Sequence, residues 1–245
     1  GCEAAWSFGL GEDNRDRAID QAPLKSHGSY NTTRPLRGIT AGVLTGYFTP
    51  NTINFYTTPY SRALQDFTVT AWFYATATGA FRRIVDYKYD QGFWLGSRGD
   101  GSASWGGGIQ NASDPYGIFL AGTLNTWNFI ALQRRGATAY LYLRDANGWQ
   151  TTSGACGSSV LSSSNHIRIG NSSPAEVKSS DNWGGSINEV RLYNYTLDFK
   201  TISLLAARPG IAYELLPPIV KAPSLPALGT LTINAFLAKS VSNIN

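Results

Sequence analysis

Residues 183–206, with the sequence WGGSINEVRLYNYTLDFKTISLLA, are the stretch that decides the fold. A Gly-Gly step leads into residues 186–193, where apolar and polar side chains alternate with one slip, and such alternation indicates a half-buried strand. The apolar positions of this run are Ile187, Val190 and Leu192. Residues 194–198 are predicted to form a turn and residues 199–206 a short helix. The segment therefore predicts a strand, a turn and a helix in that order.

The clearest strand is predicted at residues 66–75, DFTVTAWFYA. Alternate residues of a strand share a face, which here gives two sets of side chains. The sets are Phe67, Val69, Ala71 and Phe73 on one face, and Thr68, Thr70, Trp72 and Tyr74 on the other. Because both faces are bulky, we predict a central strand with one side in the core.

Residues 127–133 (WNFIALQ) and 138–143 (TAYLYL) are two further strong strands, and the four residues between them predict a hairpin. Shorter strands are predicted at residues 4–8, 43–48, 51–56, 81–89, 92–96, 116–121 and 166–170. Loops are predicted at residues 12–29, which are polar, and at residues 98–108, which are rich in glycine. Short strands at even spacing, separated by turn residues, favour an antiparallel sandwich over βαβ units.

The composition favours a particular environment and argues against some partners. Charged residues make up 15% of the 245 residues, against roughly 25% in ordinary soluble domains, which suits an extracellular or particle-bound protein. The net charge is +4, but its lysines and arginines are scattered. Nucleic-acid binding would need a basic stripe with exposed aromatics, so we expect no nucleic-acid partner. The sequence contains no run of about 18 apolar residues, so it predicts no transmembrane helix.

The order of the motifs resembles that of laminin-G-like (LamG) domains over about residues 4–207. The motifs are AAWSF at the start, DFTVTAWFYA, WNFIALQRRGATAYLYL, HIRIGN and GGSINEVRLYNYTLD. Members of that family share the concanavalin A-like jelly-roll architecture of legume lectins and pentraxins. The resemblance implies an all-β fold, a two-sheet antiparallel jelly-roll sandwich, and a role in binding or display.

Catalysis is not expected from the carboxylates of this chain. Glucanases of the same architecture need an acid and a nucleophile on one strand face, in an E-x-D-x-x-E pattern. No such pattern occurs, and Glu189 is alone in its strand. A nucleophilic triad is no better supported, because His27 and His166 are the only histidines and no G-x-S-x-G motif is present.

The chain is predicted to divide into a sandwich at residues 1–207 and an extended, Pro-rich C-terminal arm at residues 208–245. Five of the eleven prolines lie between Pro209 and Pro226, a density that opposes helix and central sheet. Residues 231–237 alternate like a strand that needs a partner. The residues predicted to dock on neighbouring subunits are Pro209, Ile211, Tyr213, Leu231, Ile233, Phe236 and Leu237. The sequence RPGIAYEL in this arm resembles segments that follow LamG-like domains in some phage structural proteins.

Glycan recognition uses aromatic rings that stack on sugar faces and polar groups that bind hydroxyls. The candidates in or beside predicted loops are Trp94, Trp105, Trp149, Trp183 and Asn182. Trp105, which is flanked by small residues, is expected to be the most exposed. The alternative is that each of these tryptophans caps the core.

Calcium is the plausible metal, since LamG-like domains often hold it with Asp, Asn and carbonyl oxygens. The candidate ligands are Asp100, Asp114, Asp181 and Asn182, with ordinary solvated loops as the alternative. The two cysteines, Cys2 and Cys156, permit one disulfide, which the sequence leaves open.

Two functions remain open at this point. The first is a non-enzymatic structural or display module of a virion or extracellular assembly, such as a capsid decoration or tail-associated protein. In that case the arm anchors it to neighbouring subunits, a role that is compatible with binding cell-surface glycans. The alternative is a free, calcium-dependent lectin-like domain.

Overall fold

The computed structural model describes residues 2–7, 17–20, 28–30, 36–40, 44–49, 55–60, 62–87, 91–109, 117–161, 166–172 and 181–207. These residues belong to the first of two units of the chain, residues 1–213 and 214–245. The strands are β1 Cys2–Ser7, β2 Arg17–Asp20, β3 Gly28–Tyr30, β4 Leu36–Thr40, β5 Leu44–Thr49, β6 Tyr56–Thr57, β7 Phe67–Ala75, β8 Arg83–Tyr87, β9 Phe93–Ser97, β10 Ser104–Ile109, β11 Ile118–Ala121, β12 Trp127–Arg135, β13 Thr138–Asp145, β14 Gly148–Ala155, β15 Arg168–Ile169 and β16 Gly185–Tyr193. The helix is α1 Phe199–Ala207.

The strands form two antiparallel sheets. Sheet A has the order β14-β13-β12-β7-β16-β1, and β5 and β4 extend it beside β16. Sheet B has the order β11-β10-β9-β8-β15-β6-β3-β2, and the pairing of β1 with β2 joins the two sheets. This arrangement confirms the predicted antiparallel sandwich. No helix in the described part of the chain is both long and apolar enough to cross a membrane.

The core lies between the sheets and is centred on β7. Phe73 packs edge-on against Trp105 of β10 at 5.5 Å and against Trp183 at 5.3 Å between ring centroids. The inward residues of β7, β12, β13 and β16 are fully buried. Strand β7 lies between β12 and β16, which confirms the predicted central strand.

The slip in alternation on the closing strand is a β-bulge. The register of β16 with β7 shifts between Asn188 and Arg191, and Glu189 has a φ of 50°, in the left-handed region that few non-glycine residues adopt. A bulge adds one residue to one strand. It therefore lets Ile187, Val190 and Leu192 all join the same buried cluster.

The predicted loop at residues 98–108 is wrong in its second half, because Ser104–Ile109 is strand β10 between β9 and β11. A Cβ at Gly106 would lie 1.9 Å from the carbonyl oxygen of Ile118, and one at Gly107 would lie 2.1 Å from that of Trp94. The glycines therefore allow close packing of backbones in the sheet and do not mark a loop.

Other strands escaped the sequence analysis. Strand β14 has mostly small and polar side chains, so it lacks the bulky alternation that marks β7. Strand β2 and the start of β3 lie within residues 12–29, which were predicted as one polar loop. All three are recognised only by their backbone pairing with a neighbouring strand.

The remaining predictions have mixed outcomes. Cys2 and Cys156 are free thiols, and burial raises the pKa of Cys156. The predicted docking residues of the arm, Pro209, Ile211, Tyr213, Leu231, Ile233, Phe236 and Leu237, lie outside the described residues. The boundary at residue 207 therefore stays a prediction.

Arg134 fastens the end of β12 to two neighbouring loops. Its side chain is fully buried. The guanidinium donates to the carbonyl oxygens of Leu64 at 2.9 Å and Ser159 at 2.8 Å, and Nε donates to that of Gln65. Since a buried carbonyl without a donor costs about 1–3 kcal/mol, this one side chain stabilises several segments.

We predict that Arg134→Ala lowers the free energy of unfolding by about 3 kcal/mol, because it leaves several buried carbonyl oxygens without donors. Urea denaturation measures the effect. The control is Arg135→Ala at the exposed neighbouring position, which should change stability by less than about 0.5 kcal/mol. Equal effects of the two substitutions would contradict the role assigned to Arg134.

We predict a loss of stability in alkaline solution from buried tyrosines. Burial raises the pKa of Tyr87 from 10.0 to about 12, and it also raises the pKa values of Tyr60 and Tyr193. The stability from these neutral phenols is fully present below pH 10.0. It is lost as the pH rises further, because the unfolded chain releases its protons first.

Thermal unfolding at pH values from about 8 to 11.5, in steps of about 0.5, measures this dependence. This range spans the ordinary pKa of tyrosine. Tyr87→Phe should flatten the alkaline decline in melting temperature, while Tyr140→Phe at a half-exposed position serves as the control. An unchanged slope in Tyr87→Phe would count against burial of the Tyr87 phenol as a cause.

Candidate functional site

Three of the four candidate tryptophans are core residues. The exposed fractions of Trp94, Trp105 and Trp183 are 0%, 0% and 1%. The prediction that Trp105 is exposed is wrong, because this residue lies on β10 and its ring packs against Phe73 and Trp183. Its small neighbours serve strand packing. These three indoles therefore present no face to a sugar, and the core alternative holds for them.

Trp149 is different, since it lies half-buried on β14 at the edge of sheet A. Its ring meets Phe129 edge-on at 6.2 Å and Phe199 of α1 at 5.2 Å between centroids. Trp149 belongs to the face of sheet A that points away from sheet B, which we call the outer face. Strand registers place Trp72 opposite Phe129, Phe129 opposite Arg144, and Arg144 opposite Trp149.

Helix α1 lies over part of the outer face and is anchored to it at both ends. Before the helix, Thr68 Oγ1 accepts from the Leu197 amide at 3.0 Å, and Gln133 Nε2 donates to the Leu197 carbonyl at 2.7 Å. Asp198 caps the helix by accepting from the Thr201 amide at 2.6 Å. Hydrogen bonds from the side chain and the backbone amide of Thr201 lower the pKa of Asp198.

At the other end, Arg144 Nη1 donates to the Ala206 carbonyl at 2.8 Å. A cation at this position also interacts favourably with the C-terminal end of the helix dipole. The contact fixes the guanidinium of Arg144 beside the last turn of α1. The helix end and the strand ends of sheet A are thus held next to each other.

A pocket of about 310 Å³ opens between this helix end and the outer face. It is lined by Trp72, Trp127, Arg144, Asp145, Ala146, Ala206 and Ala207. Its volume is in the range of small-molecule sites. Trp127 is half-buried and its ring meets Tyr74 edge-on at 5.8 Å. The pocket thus combines two indoles with one cation and one carboxylate.

The lining groups can recognise a polyhydroxylated ring. Arg144 has guanidinium donors beyond the one held by Ala206. Asp145 Oδ1 accepts from the Asn147 amide at 2.8 Å, and the carboxylate retains further acceptor sites. Indole faces pack on apolar ring surfaces. The pocket contains one carboxylate, whereas glycoside hydrolysis ordinarily uses two that flank the scissile bond.

Buried polar atoms without hydrogen-bond partners lie next to the pocket, around Trp72. They are Thr70 Oγ1, Trp72 Nε1, Asn188 Nδ2 and Arg191 Nε. Register places Asn188 opposite Trp72 and Arg191 opposite Thr70, so the four form one patch. Arg191 also pairs with Glu189 at 2.6 Å, with both side chains buried. Unsatisfied buried polar groups are uncommon in native structures.

Sheet B carries a second buried polar cluster that is closed to solvent. Arg83 Nε lies 3.4 Å from an oxygen of Asp86, and the guanidinium carbon lies 4.0 Å from the centroid of the Trp94 ring. Asp86 and Trp94 are fully buried, and Arg83 is nearly so. Because no face of this cluster is exposed, it offers no surface to a ligand.

Arginine side chains contact two of the described calcium candidates, Asp100 and Asn182. Asp100 pairs with Arg98 at 2.9 Å and accepts from the hydroxyl of Ser102 at 2.6 Å. The Asn182 carbonyl accepts from Arg82 at 3.2 Å. Within the described residues no group of three or more His, Cys, Asp and Glu side chains could hold a metal ion.

Asp181 is buried, and its carbonyl accepts from the Arg83 amide at 2.9 Å. Guanidinium groups adjoin Asp100 and Asn182 and oppose a divalent cation at both residues. Asp114 lies outside the described residues. Calcium binding stays a prediction.

The sequence analysis missed the pocket. Trp72 and Trp127 were assigned to strands and Arg144 and Asp145 to no site, because they come from different strands that only the sheet brings together. One signal was present in the sequence. The second face of residues 66–75 is as bulky as the first, which indicates a surface that something other than sheet B must cover.

Comparison with known families and sequences identifies the fold. A family model described as the concanavalin A-like lectin/glucanases superfamily matches residues 49–203. A search of curated protein sequences found no match to the chain. The matched span includes most of the pocket lining.

Several solved structures are similar. Domain 4 of AbnA, a GH43 extracellular arabinanase from Geobacillus stearothermophilus in complex with arabinotriose, has a TM-score of 0.54 and 16% identity over 84% of this chain and 98% of that chain. The enzymatically active domain of tailspike protein 2 from bacteriophage CBA120 gives 0.52 and 12%, over 73% and 30%. A Trypanosoma rangeli sialidase mutant with trans-sialidase activity gives 0.53 and 14%, over 82% and 32%. At these identities the similarity shows the fold alone.

Proposed function

Because the chain belongs to the concanavalin A-like lectin/glucanase superfamily, we propose that it is a non-enzymatic glycan-binding module. Its binding site is the pocket between the end of α1 and the outer face of sheet A. The observation that carries the proposal is the combination of Trp72, Trp127, Arg144 and Asp145 around one open volume. The similarity to domain 4 of AbnA, which was solved in complex with arabinotriose, also supports glycan binding.

The chemistry of the pocket suits binding better than hydrolysis. A sugar ring placed against the Trp127 indole would meet the Arg144 donors and the Asp145 acceptors at its edge. Asp145 has no second carboxylate near it among the lining residues. Glu189, the carboxylate of β16, is buried and bound to Arg191, which leaves it unsuited to proton transfer with a ligand.

We predict that Trp127→Ala weakens glycan binding about tenfold or more, which corresponds to about 1.4 kcal/mol of lost contact. Asp145→Asn should weaken binding similarly, because the amide keeps the oxygen that accepts from Asn147 but loses the charge. Binding is measured on an array of immobilised neutral and acidic oligosaccharides, with and without calcium.

The matched control is Trp105→Phe in the core, which should leave the pocket intact. Thermal unfolding of each variant checks that it is folded. If the wild-type chain binds none of the glycans on the array, the proposal is contradicted. Release of free sugar from a bound glycan would contradict the non-enzymatic part of it.

A second role, in display, is favoured by the arm of residues 208–245. Its prolines and the alternation of residues 231–237 support docking onto a neighbouring subunit of an extracellular assembly or a virion. The sandwich would then face outward from the assembly. The similarity to a phage tailspike domain fits such a setting. The two roles are compatible, since a displayed domain can also bind cell-surface glycans.

We predict that a chain ending at Ala207 is monomeric while the full chain is oligomeric or assembly-bound, because the docking strand and its apolar side chains are then absent. Light scattering and electron microscopy of both versions measure this. Both versions should melt at similar temperatures, as removal of an arm that only docks leaves the sandwich unchanged. The same number of subunits per particle in the two versions would contradict the arm's role in self-assembly.

A further inference from the structure

Aromatic side chains continue from the pocket across the outer face of sheet A. The ring of Trp72 in the pocket meets Phe129 at 5.5 Å, and Phe129 meets Trp149 at 6.2 Å between centroids. Trp149 meets Phe199, and Phe199 meets Tyr142 at 5.9 Å. An unbroken series of rings therefore leads from the pocket to the β14 edge of the sheet.

The far end of this series is open to solvent. Phe199 is 46% exposed, and Trp149 and Tyr142 are half-buried. We call Tyr142, Trp149 and Phe199 the aromatic platform. Exposed clusters of large apolar side chains on a soluble domain commonly mark binding surfaces. Thr151 and Ser153 follow Trp149 on the same face of β14 and are exposed, so hydroxyl groups border the platform.

The platform directly adjoins the pocket. Arg144 lines the pocket and lies opposite Trp149 in the β13–β14 ladder. Trp127 and Trp149 are two strands apart and offset by two residues. With strands about 4.8 Å apart and a rise of about 3.4 Å per residue, the separation of these positions is roughly 12 Å. That distance exceeds the length of one sugar ring.

We infer that the pocket and the aromatic platform bind different units of one carbohydrate chain. This inference rests on the proposed glycan-binding function and specifies its ligand as an oligosaccharide or polysaccharide and not a single terminal sugar. The pocket holds one cation, Arg144, and one anion, Asp145. Because these two charges balance, we expect the bound carbohydrate to consist of neutral sugars. Trp149 stacks on a unit further along the carbohydrate than the one held beside Trp127.

The test compares the wild-type chain with Trp149→Ala on an array of immobilised neutral mono-, di-, tri- and hexasaccharides of arabinose, glucose, galactose and mannose. Wild type should bind trisaccharides and hexasaccharides about tenfold more tightly than the monosaccharide of the same sugar. Trp149→Ala should remove that advantage and leave binding of the monosaccharide unchanged. Trp149→Tyr, which keeps an aromatic face, should restore most of the advantage.

The matched control is Tyr195→Ala, another exposed aromatic residue, whose ring contacts Tyr193 and not the platform. It should leave the length dependence intact. If wild type shows length dependence and Trp149→Ala keeps it, the platform inference is overturned while the proposed function stands. If wild type binds single sugars as tightly as chains, the inference also falls. If wild type binds no glycan, the proposed function itself fails.

Discussion

Sheet A has bulky side chains on both faces, and packing against a second sheet can bury only one of them. The inner face, with Val69 and Phe73, forms the core with sheet B. The outer face needs a different cover, because exposed aromatic rows are unfavourable in water. The segment from Leu197 to Ala207 provides it by crossing that face as α1. Much of the remaining architecture follows from this requirement, including the site.

Helix α1 covers only part of the outer face, and the pocket and the aromatic platform lie uncovered at its two ends. At the C-terminal end, Arg144 fastens the last turn of α1 and leaves the pocket beside Trp72 and Trp127. At the N-terminal end, Phe199 rests on Tyr142 and Trp149 and leaves them half-exposed. The glycan-binding proposal and the platform inference therefore depend on the same helix.

The closing strand β16 contributes side chains to both faces of sheet A. Its bulge at Glu189 directs Ile187, Val190 and Leu192 into the core. On the other side it leaves Asn188 and Arg191 beside Trp72 and Thr70 with unsatisfied donors. Backbone strain and buried polar atoms of this kind persist where the surroundings stabilise them. In this protein the unsatisfied donors lie beside Trp72, which lines the pocket.

The sequence by itself determined the sandwich, the central strand β7, the β12–β13 hairpin, the break in β16 and the closing helix, since periodicity and turn residues are local properties. It could not separate Trp149 from Trp94, Trp105 and Trp183, because burial depends on which strands lie across a sheet. Strands β14 and β10 were missed because their many small side chains give no bulky alternation, so that only backbone pairing reveals them. Only the tertiary structure decided that Trp72, Trp127, Arg144 and Asp145 share one pocket, since cross-strand register brings residues from three separate segments together.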